Sequence, residues 1–333
     1  MTAETPVCQL LARQDHDYRD WLWVSPPRDA WLEGGSGRLL SADHGVLAAW
    51  RAQGRPACGP FDAWDEPPGA VLFWPKSHAL GEWWLLALCQ QLPAGTPLQV
   101  VGENNGGVKR ALKVLAALGL GCRKRDSARR CTLFETRLGA VSLDPELAWQ
   151  RFSAAGLTLV SHPGVFGHGK LDDGTRLLLE VLEQQPNWAG QRVLDVGCGD
   201  GVLSAWLANR GAEVCAVDIS AFAVEAARRT LAANGVAGGV LGSDVYDALP
   251  ATAQFEALVS NPPFHQERDI DYGPAARLIG EAPARLTAGG SLTLVANAFL
   301  PYPDLLERAF GGFEILADDR RFRVYRASAL GSR

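Results

Sequence analysis

Asn261, Pro262, Pro263 and Phe264 follow the apolar run FEALVS directly and precede a polar loop. That placement sets them at the carboxyl end of a buried strand. Two consecutive prolines remove two backbone donors and fix φ, so the carbonyls of Asn261 and Pro262 are held outward rather than paired in a ladder. The Asn261 side-chain oxygen and the Pro262 carbonyl can each accept one hydrogen of a planar –NH2 group, and the Phe264 ring offers a face on which a flat base can stack. The chemistry this suits is the presentation of an amine whose lone pair is delocalised into a ring. Standing alone, the tetrapeptide is equally a proline turn that ends a strand.

A second set of residues lies upstream in QRVLDVGCGDGVLSAWLANRGAEVCAVDIS, which reads as strand, glycine loop, helix and strand. Asp195, Gly197, Gly199 and Gly201 form an acid-x-Gly-x-Gly-x-Gly turn. Glycines there let backbone pass against a ligand, and the helix expected over Val202 to Arg210, stopped by Gly211, turns its free N–H groups toward it. Asp218 ends the next strand, where an acid can take both hydroxyls of a ribose. A dinucleotide site carries Gly-x-Gly-x-x-Gly, with its helix aimed at a pyrophosphate. Here a carboxylate beside the loop disfavours a pyrophosphate and favours a ligand with an ammonium and a sulfonium, which is S-adenosylmethionine. Asp244, in LGSDVYD, follows another short strand and can accept from the adenine amine, with Ile219 against the adenine face. Each acid by itself is an ordinary strand-end carboxylate; the order and spacing make the combination specific.

These residues must be positioned by strands alternating with helices, which calls for a parallel sheet covered on both faces. Candidate strands run over Arg192–Val196, Glu213–Asp218, Gly239–Ser243, Phe255–Ser260 and Ser291–Asn297, followed by Phe313–Ala317 and Phe322–Ala327. The last two leave no room for a crossover helix and are expected as an antiparallel pair at one side. Ligands in such sheets lie at the carboxyl ends of the strands.

The two halves of the chain resemble each other. LTAGGSLTLVANAF lines up with LPAGTPLQVVGENN, DDRRFRVYRA with DSARRCTLFETR, and ALVSNPPF with VLFWPK. The fold class expected is therefore α/β, with two tandem related Rossmann-like domains, 1–150 and 151–333, the second having a seven-stranded sheet with an antiparallel edge pair; the resemblance given next implies that both are of methyltransferase type. In the first half Trp74-Pro75-Lys76 replaces the amine-binding residues and DWLWVSPP is followed by no glycine loop, so its expected role is packing, RNA recognition or both. Residues 138–162 read as a connector with a short helix.

On VLDVGCGDG, Asp218, Asp244 and NPPF, the segment from about Pro163 to Ala327 resembles a class I S-adenosylmethionine-dependent methyltransferase. More narrowly, PGVFGHGKLDDGTRLLLE, SNPPFH and VANAFLPYP, together with FWPK, VVGEN and DSARRC in the first half, are similar to the RsmC branch of bacterial ribosomal RNA guanine-N2 methyltransferases. That resemblance covers nearly the whole chain. It implies methyl transfer to a guanine N2 in 16S RNA of the small ribosomal subunit, with Asn261, Pro262 and Phe264 at the amine and Asp195, Gly197, Gly199, Gly201, Asp218, Ile219 and Asp244 at the cofactor. A flap at Pro163–Phe166 over the methionine part of the cofactor is also implied.

With 333 residues and 47% hydrophobic content the chain can bury two cores, and no apolar run approaches the length of a membrane span. No export signal is visible at Met1, and the cysteines form no Cys-x-x-Cys pair or metal spacing, so a cytoplasmic protein with reduced thiols and no metal is expected. Cys198 reads as small-residue filler of the loop, and His265 as a loop residue or a proton acceptor. A net charge of −5 argues against nonspecific coating of nucleic acid, so local patches must hold RNA. The candidates are Arg123, Lys124, Arg125, Arg129 and Arg130, and a second group of Arg320, Arg321, Arg323 and Arg326; either can instead be a solvated face. Nine of the eleven tryptophans precede residue 150, which points to a tryptophan-rich core with rim positions able to stack on bases. No heptad or exposed apolar face is evident, so a monomer is expected. NPPF alone does not separate guanine from adenine N6 or a glutamine side-chain amide, and a noncatalytic RNA-binding assembly factor is the alternative of another class.

Overall fold

The computed structural model describes residues 2–185, 187–262 and 273–329. The chain forms two compact units, Met1–Trp149 and Gln150–Arg333.

The first unit carries strands β1 (Leu22–Val24), β2 (Arg38–Leu40), β3 (Ala57–Cys58), β4 (Ala70–Phe73), β5 (Pro97–Glu103), β6 (Cys122–Ala128) and β7 (Cys131–Arg137). They form one sheet in the order β3-β2-β1-β4-β5-β7-β6, parallel through β5, with β7 antiparallel to both β5 and β6. The second unit opens with a hairpin, β8 (Gln150–Ala154) and β9 (Leu157–Ser161). It continues with β10 (Arg192–Val196), β11 (Glu213–Asp218), β12 (Gly239–Gly242), β13 (Phe255–Ser260), β14 (Leu286–Asn297), β15 (Glu314–Asp318) and β16 (Phe322–Ser328). Their order is β12-β11-β10-β13-β14-β16-β15, with β16 antiparallel to β14 and β15. Counted from the first strand of each sheet, the two orders are the same. Tandem methyltransferase-type folds of shared topology are thus present, with the antiparallel pair at the edge where the sequence places it.

Central strands buried on both faces read as continuous apolar runs, and successive residues feed opposite layers. Val193, Val259 and Val295 pack with Leu178, Leu182 and Phe322 on one face, while Leu194, Leu258, Leu292 and Leu294 pack with Leu278, Leu306 and Tyr325 on the other. In the first unit Trp21, Trp23, Trp50, Trp64, Trp74, Trp83 and Trp84 are all buried. That removes seven of the nine tryptophans before residue 150 from any base-stacking surface and gives the core reading to them.

Three local expectations change. The connector is a hairpin preceded by the short helical turn Pro145–Ala148, because Gly156, at φ +73°, and Ala155, at +51°, turn the chain back on itself. The helix after the glycine loop spans Val202–Ala208, two residues short of Arg210, and Gly211 follows at φ +85°. Strand β14 starts at Leu286 rather than Ser291, because Leu286 pairs with Phe255.

Candidate functional site

The glycine loop leaves β10 and folds back on β11: the N–H groups of Gly197 and Cys198 both donate to the Val217 carbonyl, at 2.8 and 3.1 Å. Gly201 lies at φ +79°, and a Cβ there would stand 2.7 Å from the Ala227 Cα, so glycine is needed to seat the following helix on the helix Ala221–Ala233. Gly199, at φ +55°, faces open space instead. Backbone is therefore exposed for a ligand at the middle of the loop.

Asp218 holds that loop in shape. One carboxylate oxygen accepts from the Gly199 N–H at 3.0 Å and the other from the Ser220 N–H at 2.8 Å. Burial raises its pKa, and the backbone donors on Ser220, Gly199 and Ile219 work in the opposite direction. Each oxygen keeps a lone pair free of these bonds, which suits a diol. Ile219, half-buried, follows at the end of β11.

Asp195 differs from the sequence expectation of a carboxylate presented beside the loop. It is fully buried beneath it. One oxygen accepts from the Ser204 hydroxyl at 2.6 Å, and the other has no partner. Burial pushes its pKa up to about 7, with the nearby charges of Asp218 and Asp200 adding to the rise. Burial likewise pushes Asp200 to about 6. A site with an orphaned acid and clustered negative charge fits a ligand that brings a cation, as S-adenosylmethionine does. Burial raises the Cys198 thiol well above its ordinary pKa, which leaves it an inert filler.

Asp244 is also more engaged than its sequence suggests. Its carboxylate pairs with Arg277 at 3.2 Å, and the same guanidinium bonds Asp247 at 2.7 Å. Next to it Val245 sits at φ +54°, a strained conformation for a β-branched residue. Ser243 supports that strain: its hydroxyl donates to the Val245 carbonyl at 2.9 Å and accepts from the Ala248 N–H at 3.0 Å. The aspartate is thereby fixed at the strand end.

Asn261 leaves β13 one residue after Ser260, whose hydroxyl donates to the Val196 carbonyl at 2.6 Å. This single bond ties the end of the amine strand to the end of the cofactor strand. The Asn261 Nδ2 donates to Asp172 Oδ2 and to Thr175 Oγ1, both at 2.9 Å. With both amide hydrogens engaged, Oδ1 is left as the acceptor. Asp172 is at the same time the N-cap of the helix Asp173–Glu183, accepting from the Thr175 N–H at 3.0 Å. Asp172, Thr175, Ser204, Ser260 and Arg277 join the site without being marked as site residues by the sequence. Only Asp172 left a local signal, an acid before an amphipathic helix, and that signal reports a cap rather than a partner for Asn261. Pro262 is buried beside Asn261, whereas Pro263, Phe264 and His265 lie outside the described residues.

The Pro163–Phe166 segment makes a tight turn, with the Val165 N–H donating to the His162 carbonyl at 2.8 Å. A Cβ on Gly164 would meet the Phe222 ring at 2.4 Å, and Phe222 stacks on His162 with centroids 4.5 Å apart. Phe166 is exposed.

The basic patches divide. Arg123 and Arg125 both pair with Glu135, so these two are a salt-bridged strand face. Arg129 and Arg130 form the β6–β7 turn, both with positive φ, and the Arg130 carbonyl accepts from the Asn104 N–H at 2.8 Å. In the second patch Arg321 pairs with Asp173 and Arg323 with Asp318. In the first unit the residue matching Asn261 is Trp74, whose ring packs where a Cβ on Gly81 would stand 2.7 Å away. Among the described residues no group of three or more His, Cys, Asp and Glu side chains is placed to hold a metal ion, and no helix is long and apolar enough to cross a membrane.

Two family models match: the methyltransferase small domain over residues 156–326 and its N-terminal companion domain over 62–151. The ribosomal RNA small subunit methyltransferase C of Chromohalobacter salexigens is 68% identical over 98% of this chain and 98% of its own length. The chain belongs to the ribosomal RNA small subunit methyltransferase C family. The Escherichia coli K12 member is 45% identical over 77% of this chain and 74% of its own length. A solved structure of the T. thermophilus 16S rRNA N2 G1207 methyltransferase, in complex with AdoMet and guanosine, superposes with a TM-score of 0.85 at 30% identity, covering 97% of this chain and 92% of that one. Family membership thus spans both units, including the one without a glycine loop.

Proposed function

We infer that this protein transfers the methyl group of S-adenosylmethionine to the exocyclic N2 of a guanine in 16S ribosomal RNA. The observation that carries the chemistry is the Asn261 amide, whose nitrogen is bound by Asp172 and Thr175 so that its oxygen accepts. Kinship with the small-subunit family and with the guanosine-bound structure supports the choice of base.

When bound, S-adenosylmethionine supplies a methyl group on a positively charged sulfur. Gly197, Gly199 and Gly201 give it a backbone floor, Asp218 takes the ribose hydroxyls, and Ile219 and Asp244 border the adenine. Asp195 supplies negative charge from beneath the loop. Asn261 Oδ1 and the Pro262 carbonyl accept the two hydrogens of the guanine amine, which orients the nitrogen lone pair for in-line attack and stabilises the positive charge that develops there. No strong base is required before transfer, since the proton can pass to water afterwards. Phe264 stacks on the extruded base, and Pro163–Phe166 covers the methionine end of the cofactor.

The substrate is the assembled small subunit, held in part by the Arg129–Arg130 turn. Residues 1–150 recognise RNA or support the fold, and residues 151–333 carry catalysis. The protein works as a cytoplasmic monomer. Labelled S-adenosylmethionine offered with small subunits, naked 16S RNA, DNA and a release factor tests the assignment: label is expected in guanine N2 of the RNA. Asn261→Ala is expected to abolish transfer while binding cofactor normally, and Asp218→Ala to weaken cofactor binding at least tenfold. Label confined to protein or DNA, or the reverse behaviour of the two variants, overturns it.

A further inference from the structure

Asn297 ends β14 and is 5% exposed, yet its Nδ2 has no hydrogen-bond partner. No described residue bonds its Oδ1 either, so the amide is unused: its nitrogen is buried and its oxygen keeps access to solvent. Orphaned buried amides are rare because leaving their groups unpaired is costly, and each one calls for an explanation.

Its position supplies one. Side chains on a strand alternate between faces, and Val295 packs in the same layer as Val259, which places Asn297 and Asn261 on the same face, each two residues further on. Pairing of Ser260 with Leu294 carries Asn261 opposite Val295. From strand spacing and rise, the two Cα atoms are then about 8 Å apart. Asn297 also pairs with Phe322 on β16. The Phe322 ring lies 3.3 Å from where a Gly174 Cβ would stand, and Asp172 Oδ2 lies 3.0 Å from the same point. That Asp172 oxygen is the one that orients Asn261. The idle amide therefore belongs to the cluster that presents the amine acceptor, at the carboxyl edge of the sheet.

We propose that Asn297 reads the guanine itself, its Oδ1 accepting from N1–H and its Nδ2 donating to O6 while Asn261 and Pro262 hold N2. The argument rests on the amine-binding role assigned to Asn261 above. The N–C–O fork of a carboxamide matches the adjacent N1–H and O6 of guanine, one donor and one acceptor, as a bidentate pair. An adenine presenting N6 to Asn261 would put its N1 acceptor and its C2–H at those places, setting the Asn297 oxygen against the N1 lone pair and its Nδ2 against a carbon. A glutamine amide would put nothing there. Asn297 is thus a specificity-determining residue for a site whose Asn-Pro pair accepts any planar amine.

The test uses small subunits carrying either guanine or 2-aminopurine at the methylated position, mapped first with the wild-type protein. 2-Aminopurine keeps the amine and lacks both N1–H and O6. Wild-type kcat/KM is expected to be about 10- to 100-fold lower on 2-aminopurine, the scale on which a buried amide left without its partners is penalised. Asn297→Ala is expected to lose about that factor on guanine, to lose nothing further on 2-aminopurine, and to bind S-adenosylmethionine as the wild type does. Asn297→Leu, which keeps the volume, should behave alike and separates lost recognition from a cavity. Equal losses on both bases, retained guanine preference, or weakened cofactor binding in both variants would overturn the inference. A wild-type protein that labels no guanine would instead overturn the function it rests on.

Discussion

Replacing Asp195 by asparagine should make the protein more stable at alkaline pH while impairing the cofactor site. The native carboxyl is raised from 3.8 to about 7, chiefly by burial. An unfolded chain returns it to the ordinary value, so between those pH limits the folded form keeps a proton that the unfolded form releases, and stability falls as pH rises. Below about pH 4 both forms are protonated and the residue costs nothing. Above pH 7 the full cost is reached: three units at 1.36 kcal/mol each is about 4 kcal/mol. Asparagine stands in for the protonated acid at every pH, and its oxygen can still accept from Ser204. The variant and the wild type should therefore melt together near pH 4 and diverge steadily toward pH 8. For a unit of this size the gap corresponds to roughly 8–16 °C in Tm. The assay is a pair of thermal melts at half-unit pH intervals without ligand, repeated with S-adenosylmethionine. Ligand should narrow the gap, because the wild type binds it more tightly and gains more stability. A gap absent at pH 8, or one constant from pH 4.5 to pH 8, would refute the assignment of Asp195 as a buried acid kept for a cationic ligand.

Two further outcomes follow from the same geometry. Asp172→Ala should cost about 1 kcal/mol through the lost helix cap and lower kcat more than tenfold with cofactor affinity unchanged; Asp172→Ser, a good cap whose shorter side chain does not reach Asn261, restores the cap alone, and denaturation set against single-turnover rates separates the two effects. Arg129→Glu together with Arg130→Glu should weaken binding to small subunits and reduce its salt dependence by about two phosphate contacts, with cofactor binding intact; an unchanged salt slope would remove this turn from the RNA surface.

Much of the architecture is legible in the residues because its signals are local and repeated. Parallel strands announce themselves as apolar runs, and the glycine loop and strand-end acids recur at set spacings. The duplication shows as aligned strings and returns as one strand order in both sheets. What sequence conceals is where side chains from distant segments meet. Asp172 and Asn261 are 89 positions apart, and nothing near either names the other. Burial is hidden too: Asp195 reads as a presented carboxylate, but packing of the Ser204 helix over it turns it into a raised, half-satisfied acid. Arg123 and Arg125 look like an RNA grip until the strand pairing sets Glu135 between them. The hairpin at Gln150–Ser161 escapes because its strands are short and its turn pairs Gly156 with a non-glycine residue, Ala155, at positive φ.

Trp74 shows what the first unit holds where the second has its amine site. Its ring occupies the space above Gly81, and its Cβ lies 3.0 Å from where a Gly102 Cβ would stand, so the surrounding glycines are now shaped to an indole. Asparagine in place of Trp74 would by itself supply no supported acceptor. It would open a void costing about 3–5 kcal/mol. The end of β4 is thus committed to packing: the indole that fills it leaves no single substitution able to place a supported acceptor there.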